Sequence, residues 1–278
     1  MTVHESLKAL LPAWGRRRLK EIRTARRRCR LLQRLQAVHG TSAPSGKYLT
    51  YFVMQGMTNR LKGHLMAACY AEVLNRTLVP FWQKTPECAA IFADLFDHAG
   101  EDWHYATQKV VTYSVETDMA SAEPETLLQD PADLIVLDLD WQYIPMSALL
   151  RRLGDKSFSD SFQRTLPVRG DIVRRVDATA DAWRRPMVGA QIRRGDFASF
   201  GQAHPTNRYI AATEAALKTR PEAGILLTSD ARRSELADFV DHFWERCSFA
   251  ESKSRDDEDG VRDAMYDLLL LSRCRYLI

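Results

Sequence analysis

The sequence predicts an α/β protein made of two Rossmann-like halves facing across a cleft, preceded by a basic helical arm. Three observations predict it. The length of 278 residues suits two domains of about 100–150 residues each. Short β-rich runs alternate with helical patterns in two separate stretches, 47–165 and 166–278. The positive charge is confined to the start of the chain. Residues 1–45 carry eleven Lys/Arg against Glu5 and Glu21, a balance of +9. The remainder is therefore −6 within a total of +3. That distribution argues against a nucleic-acid-binding body.

The arm comes first. Ten of the nineteen residues from Arg16 to Arg34 are Arg or Lys, and Ile22, Ala25, Cys29, Leu32 and Leu35 recur at helical spacing. Two readings stand. The helix lies on an anionic membrane surface through residues 16–35, or it is solvated and packs one stripe on the body. His39 to Gly46 reads as a linker, so the arm and linker span 1–46. No run approaches the ~18 apolar residues of a membrane span, and the N-terminus lacks the apolar core of a secretory signal. The five cysteines are odd in number, widely spaced and without a Cys-x-x-Cys, which predicts a reducing, cytoplasmic setting.

In the first half, Tyr48 to Met54 is rich in β-formers and reads as a buried strand. Gln55-Gly56-Met57-Thr58-Asn59 reads as a glycine turn, residues 60–75 as a helix and 78–82 as the next strand. A helix opening after a glycine at a strand end offers free N–H groups to a ligand, with Gly56, Asn59 and Arg60 facing it. A capping Asn and a surface Arg are the plainer account. Residues 87–97 read as a helix, 98–133 as irregular, and 134–137 as a strand followed by Asp138-Leu139-Asp140. Asp-x-Asp after a strand can hold a divalent ion on a diphosphate; a polar strand end is the plainer account.

In the second half, 166–185 reads as a basic helical bridge and 187–192 as a strand of small and apolar residues. The strand opens into Arg193-Arg194-Gly195-Asp196. Arginine presents a planar fork that grips phosphate oxygens at two points and does not lose its proton. Two arginines and a glycine at a strand mouth therefore suit a diphosphate, with Asp196 placed to hold Arg193. His204-Pro205 opens a helix. A strand at 224–228 runs into Ser229-Asp230, then a helix at 232–244. Asp256 to Asp259 reads as a solvated acidic loop, 262–272 as a helix and 275–278 as a final strand.

Four motifs in order resemble the fucosyltransferase superfamily of α1,6-fucosyltransferases, nodulation fucosyltransferases and protein O-fucosyltransferases. They are Gly56-Met57-Thr58-Asn59-Arg60-Leu61 with Leu74 to Val79; Gln191-Ile192-Arg193-Arg194-Gly195-Asp196 with His204-Pro205; Leu227-Thr228-Ser229-Asp230; and Gly260-Val261-Arg262 with Asp267 to Cys274. The resemblance spans about residues 47–278. It implies a GT-B type fold and a metal-free transfer from GDP-fucose to a glycan or other hydroxyl, with no cofactor. It places Arg193 on the β-phosphate, Asp267 towards the guanine and Asn59 on the opposite wall. It draws Gln191, Arg194 and Asp230 into the donor site, and makes Arg193, Asp196 and His204 the catalytic candidates. The family histidine is Gln191 here, no carboxylate stands between Asp196 and His204, and the family's serine-containing loop lies beyond Ile278. A non-catalytic family member that binds a nucleotide, glycan or protein, and a metal-dependent transferase using Asp138 and Asp140, are the competing readings.

Overall fold

The computed structural model describes residues 47–53, 55–97, 110–114, 131–132, 134–139, 166–194, 204–250 and 256–278. The arm, and with it the membrane reading of residues 16–35, lies outside them.

The first sheet is all parallel, in the order β2-β1-β4-β3. Its strands are β1 (Tyr48–Phe52), β2 (Thr77–Val79), β3 (Val110–Ser114) and β4 (Leu134–Asp138). Helix α1 (Met57–Val73) connects β1 to β2. It begins at Met57, so the expected turn through Asn59 is already helix. Its end has a clear cause. Asn75 adopts φ 49°, Arg76 N–H donates to Ala71 O at 2.8 Å and Asn75 N–H to Glu72 O at 3.2 Å. This is the left-handed C-terminal turn that Asn tolerates better than most side chains. The Arg76 guanidinium then donates to Ala132 O at 2.8 Å, tying the turn to the entry of β4.

Two expectations fail in this half. β3 lies within a stretch read as irregular; Val110-Val111-Thr112-Tyr113 are β-formers, and they pair with β4. The helix expected over 87–97 shrinks to α2 (Phe92–Leu95), because Thr85 and Cys88 form an antiparallel bridge first.

The second sheet is also all parallel, in the order β7-β6-β5-β8. Its strands are β5 (Met187–Ile192), β6 (Gly224–Ser229), β7 (Cys247–Ala250) and β8 (Tyr276–Leu277). Helix α3 (Gly170–Asp181) precedes β5, and α4 (Thr206–Lys218) joins β5 to β6. The expected helix at 232–244 is a 3-10 turn (Arg233–Leu236) running into α5 (Ala237–His242). β7 was not expected, being short and half-exposed. Helix α6 (Glu258–Arg273) starts within the supposed acidic loop. Asp257 accepts the Gly260 N–H at 2.7 Å, and Glu258 and Asp259 occupy the first turn, where carboxylates suit the helix dipole.

Strand alternation divides the second sheet into two faces. Ala190, Ile192, Ile225 and Leu227 pack with Leu236, Phe239 and Val240. Met187 and Leu226 point the other way, into a core shared with Ile172 and Val176 of α3, Met265 and Leu270 of α6, and Leu49, Phe92 and Leu95 of the first half. Gly189 lies on this face beneath α6. A Cβ there would stand 2.8 Å from Leu271 Cδ2 and 3.2 Å from Cys274 Cβ, so the close helix approach requires glycine. Lys84 and Glu258 bridge the halves at 2.9 Å. Among the described residues no helix is long and apolar enough to cross a membrane.

Candidate functional site

The ends of β5 and β6 carry the site. β8 flanks β5 only as far as Gly189, and the burial of β5 runs buried through Ala190, exposed at Gln191, and buried at Ile192. The exposed side chain shows that the sheet is uncovered at the end of β5. Gln191 shares its face with Gly189, so the opening lies on the α6 side of the sheet. Open α/β sheets bind ligands at this carboxyl end.

The two arginines after β5 have different surroundings. Arg194 is turned inward. Its guanidinium donates to His204 O and to Thr206 Oγ1, both at 3.0 Å, and so straps the end of β5 to the start of α4. Arg193 keeps two-fifths of its side chain exposed, with Nε 3.7 Å from Asp230 Oδ2. Asp230 links the pair. Its Oδ1 accepts the Arg194 N–H at 2.6 Å, and its side chain is only 6% exposed. Asp230 therefore positions the arginines from β6, a part given to Asp196 from sequence. Asp196 and Gly195 lie outside the described residues. Ser229 Oγ donates to Ile192 O and accepts the Ala231 N–H at 3.0 Å, which locks the two strand ends together. His204 stands just before the Pro205 cap of α4, where its carbonyl receives Arg194.

The α1 turn divides in the same way. Asn59 is exposed and bonded to the Gln55 side chain. Gly56 caps the helix at φ −59°, a conformation open to any residue, so it is not required by its backbone. Arg60 departs from expectation. It is fully buried and donates to Gln55 O at 2.7 Å, Gln83 O at 2.6 Å and Thr85 Oγ1 at 2.8 Å. A guanidinium so enclosed braces two loops and does not reach a ligand. Behind it, Trp82 Nε1 donates to Tyr51 Oη at 2.6 Å, and Tyr51 Oη and His64 Nδ1 share a hydrogen bond at 2.9 Å. Burial raises the Tyr51 phenol far above its usual range.

Asp267 sits on α6 at the α3 interface. Burial first, and the nearby Asp263 second, push its carboxyl up to about 7, against the opposing pull of Arg175. Arg175 reaches from α3 to Asp263 Oδ1 at 2.5 Å and covers the Tyr266 ring at 3.9 Å. Sequence reasoning missed this Arg175–Asp263 pair, because nothing local signals that α3 meets α6. Asp138 ends β4, and Asp140 lies outside the described residues. Among the described residues no group of three or more His, Cys, Asp or Glu could hold a metal ion.

Neither a protein-family model nor a curated protein matches this sequence. Solved structures do match it. The NodZ α-1,6-fucosyltransferase soaked with GDP-fucose superimposes with a TM-score of 0.57 at 16% identity, covering 84% of this chain and 87% of that one. The fold is that of the fucosyltransferases. Fucosyltransferase NodZ from Bradyrhizobium gives a TM-score of 0.56 at 18% identity, over 84% of this chain and 88% of the other. A mutant of Arabidopsis thaliana FUT1 in complex with GDP gives 0.58 at 14% identity, over 96% and 74%. At these identities the likeness is one of fold, and it agrees with the two parallel sheets.

Proposed function

We propose that this chain is a fucosyltransferase-like glycosyltransferase. It takes a GDP-sugar, GDP-fucose or a close relative, and transfers the sugar to a glycan or other hydroxyl acceptor. The observation that carries the reading is Arg193, half-exposed at the mouth of an inner strand and held from behind by a nearly buried Asp230. Cleaving the sugar–phosphate bond builds negative charge on the departing diphosphate. A preset guanidinium stabilises that charge where it develops, so the proposed chemistry requires no metal ion. The fold shared with structures soaked with GDP-fucose or holding GDP supports the donor class.

Six residues take parts in this reading. Arg193 binds the β-phosphate. Gln191, on the open face beside it, offers both a donor and an acceptor with no titration. Asp267 faces the base from α6. Asn59 lines the opposite wall from the α1 turn. Asp196 and His204 are the candidates for moving the acceptor proton. A non-catalytic, nucleotide-binding role has one feature in its favour, the glutamine standing where the family has histidine.

Calorimetric titration of GDP tests the proposal. Arg193→Ala is expected to weaken GDP by about 100-fold, the loss of two charge-assisted bonds of roughly 1.5 kcal/mol each. Unchanged affinity in a folded variant would refute the assignment.

A further inference from the structure

Buried hydroxyls on the strands of this protein find carbonyl partners. Thr50 Oγ1 on β1 donates to Val79 O at 2.7 Å, and Ser229 Oγ at the end of β6 donates to Ile192 O. Thr228, one residue before Ser229, is an exception. It is 1% exposed, and among the described residues its Oγ1 has no hydrogen-bond partner. A strand threonine cannot bond back to the carbonyl one turn earlier, as a helical one can. A buried hydroxyl left unmet is destabilising, so its presence needs a reason.

Its place in the sheet supplies one. Side chains alternate along β6. Leu227 packs with Phe239 and Val240 of α5, and Leu226 packs on the other side in the core of Met265 and Leu270 of α6. Thr228 therefore faces the α6 side. In the parallel register it stands beside Gln191, whose side chain is exposed on that same face. Helix α6 delivers the chain to β8, which is parallel to β5, so α6 runs back against the direction of β5. Leu271 and Cys274 lie over Gly189. Asp267 shares their helix face, one turn nearer the carboxyl ends of the strands, a step of about 6 Å. Gln191 is two residues beyond Gly189, a step of about 7 Å in the same direction. Thr228, Gln191 and Asp267 thus gather on one face at the end of the sheet that carries Arg193.

The chemistry of this corner differs from that of Arg193. Thr228 and Gln191 are uncharged, and each both donates and accepts. Such groups suit a neutral edge carrying donors and acceptors, whereas a guanidinium suits phosphate. A nucleoside diphosphate joins the two chemistries in one molecule. Thr228 is too enclosed to meet a ligand itself, but neighbouring strands lie about 4.8 Å apart, within reach of the flexible Gln191 side chain. We propose that Thr228 is a positioning residue for Gln191: its hydroxyl engages the Gln191 amide and fixes which end of that amide meets the base of the bound nucleotide. The inference rests on the nucleotide-sugar reading of the Arg193 site. The amide brings Thr228 the partner it otherwise lacks, and Thr228 gives the amide a single orientation.

The test is calorimetric titration of the full chain with GDP and ADP, and with inorganic pyrophosphate measured by displacement of GDP. Thr228→Val is expected to weaken GDP by about 10-fold, the net worth of one hydrogen bond. It is expected to narrow the preference for GDP over ADP by a similar factor, because an unheld amide turns either end to the base. Pyrophosphate has no base and is expected to bind both proteins alike. Thr228→Ser keeps the hydroxyl and is expected to match the wild type. Gln191→Ala removes the group through which Thr228 acts, so adding Thr228→Val to it is expected to cost nothing further. Urea unfolding is expected to find Thr228→Val at least as stable as the wild type, since no unmet hydroxyl remains. Unchanged GDP affinity in Thr228→Val, an equal loss on pyrophosphate, or additive losses in the double variant would overturn the proposal and leave the Arg193 site standing. A wild type that binds no GDP would overturn both.

Discussion

Replacing Asp267 with Asn is expected to stabilise the fold, increasingly as pH rises from about 4 to 7. The carboxyl rises from its ordinary 3.8 to about 7 in the folded chain, first through burial and then through Asp263. The folded state therefore holds a proton between about pH 4 and 7 that the unfolded chain has released. Stability then falls as pH rises through that window. Each unit is worth about 1.4 kcal/mol, so the ionised group costs at most about 4 kcal/mol above pH 7. Its remaining solvent contact brings this to roughly 2–4 kcal/mol. Asn keeps the shape and removes the charge. Urea unfolding should show Asp267→Asn close to wild type at about pH 3 and more stable by about 2–4 kcal/mol at pH 8. A variant less stable at pH 8, or a difference that does not change with pH, would refute the reasoning. If Asp267 faces the guanine as proposed, the same variant binds GDP more weakly, so stability and binding move in opposite directions.

Other expectations separate structure from site. Arg194→Ala removes the strap from β5 to His204 O and Thr206 Oγ1, and should cost about 1–3 kcal/mol in urea unfolding. Arg193→Ala takes a guanidinium from beside the nearly buried Asp230 and should cost about 1–2 kcal/mol of stability while weakening GDP by about 100-fold. Arg60→Met should destabilise by about 3 kcal/mol or more, because three buried acceptors lose their donor. Tyr51→Phe strands the Trp82 N–H and His64 Nδ1 in the core, and should lower stability by about 1–3 kcal/mol.

Where burial and periodicity dominate, the sequence was readable. β1, β4, β5 and β6 announced themselves through runs of Val, Ile, Leu and Tyr, and Pro205 marked the start of α4. At the candidate site, the sequence marked Arg193 beyond β5, and the structure leaves it two-fifths exposed. The illegible parts were tertiary. Arg60 and Arg194 have the same chemistry as Arg193, but Gln83, Thr85, His204 and Thr206 supply acceptors that capture them, and those partners come from other segments. Asp230 became the arginine anchor only once β6 lay beside β5. The acidic run at 256–259 contained a capping signal, Asp257 three residues before Gly260, that a reading of charge alone passed over.

The most direct test of the donor-site claim is a nucleotide panel. GDP, UDP and ADP are titrated against the full chain, each with Mn²⁺ and with EDTA. The account predicts binding selective for GDP, with the same affinity in both conditions. Manganese-dependent binding that is lost in Asp138→Ala, or no nucleotide binding at all, would contradict it.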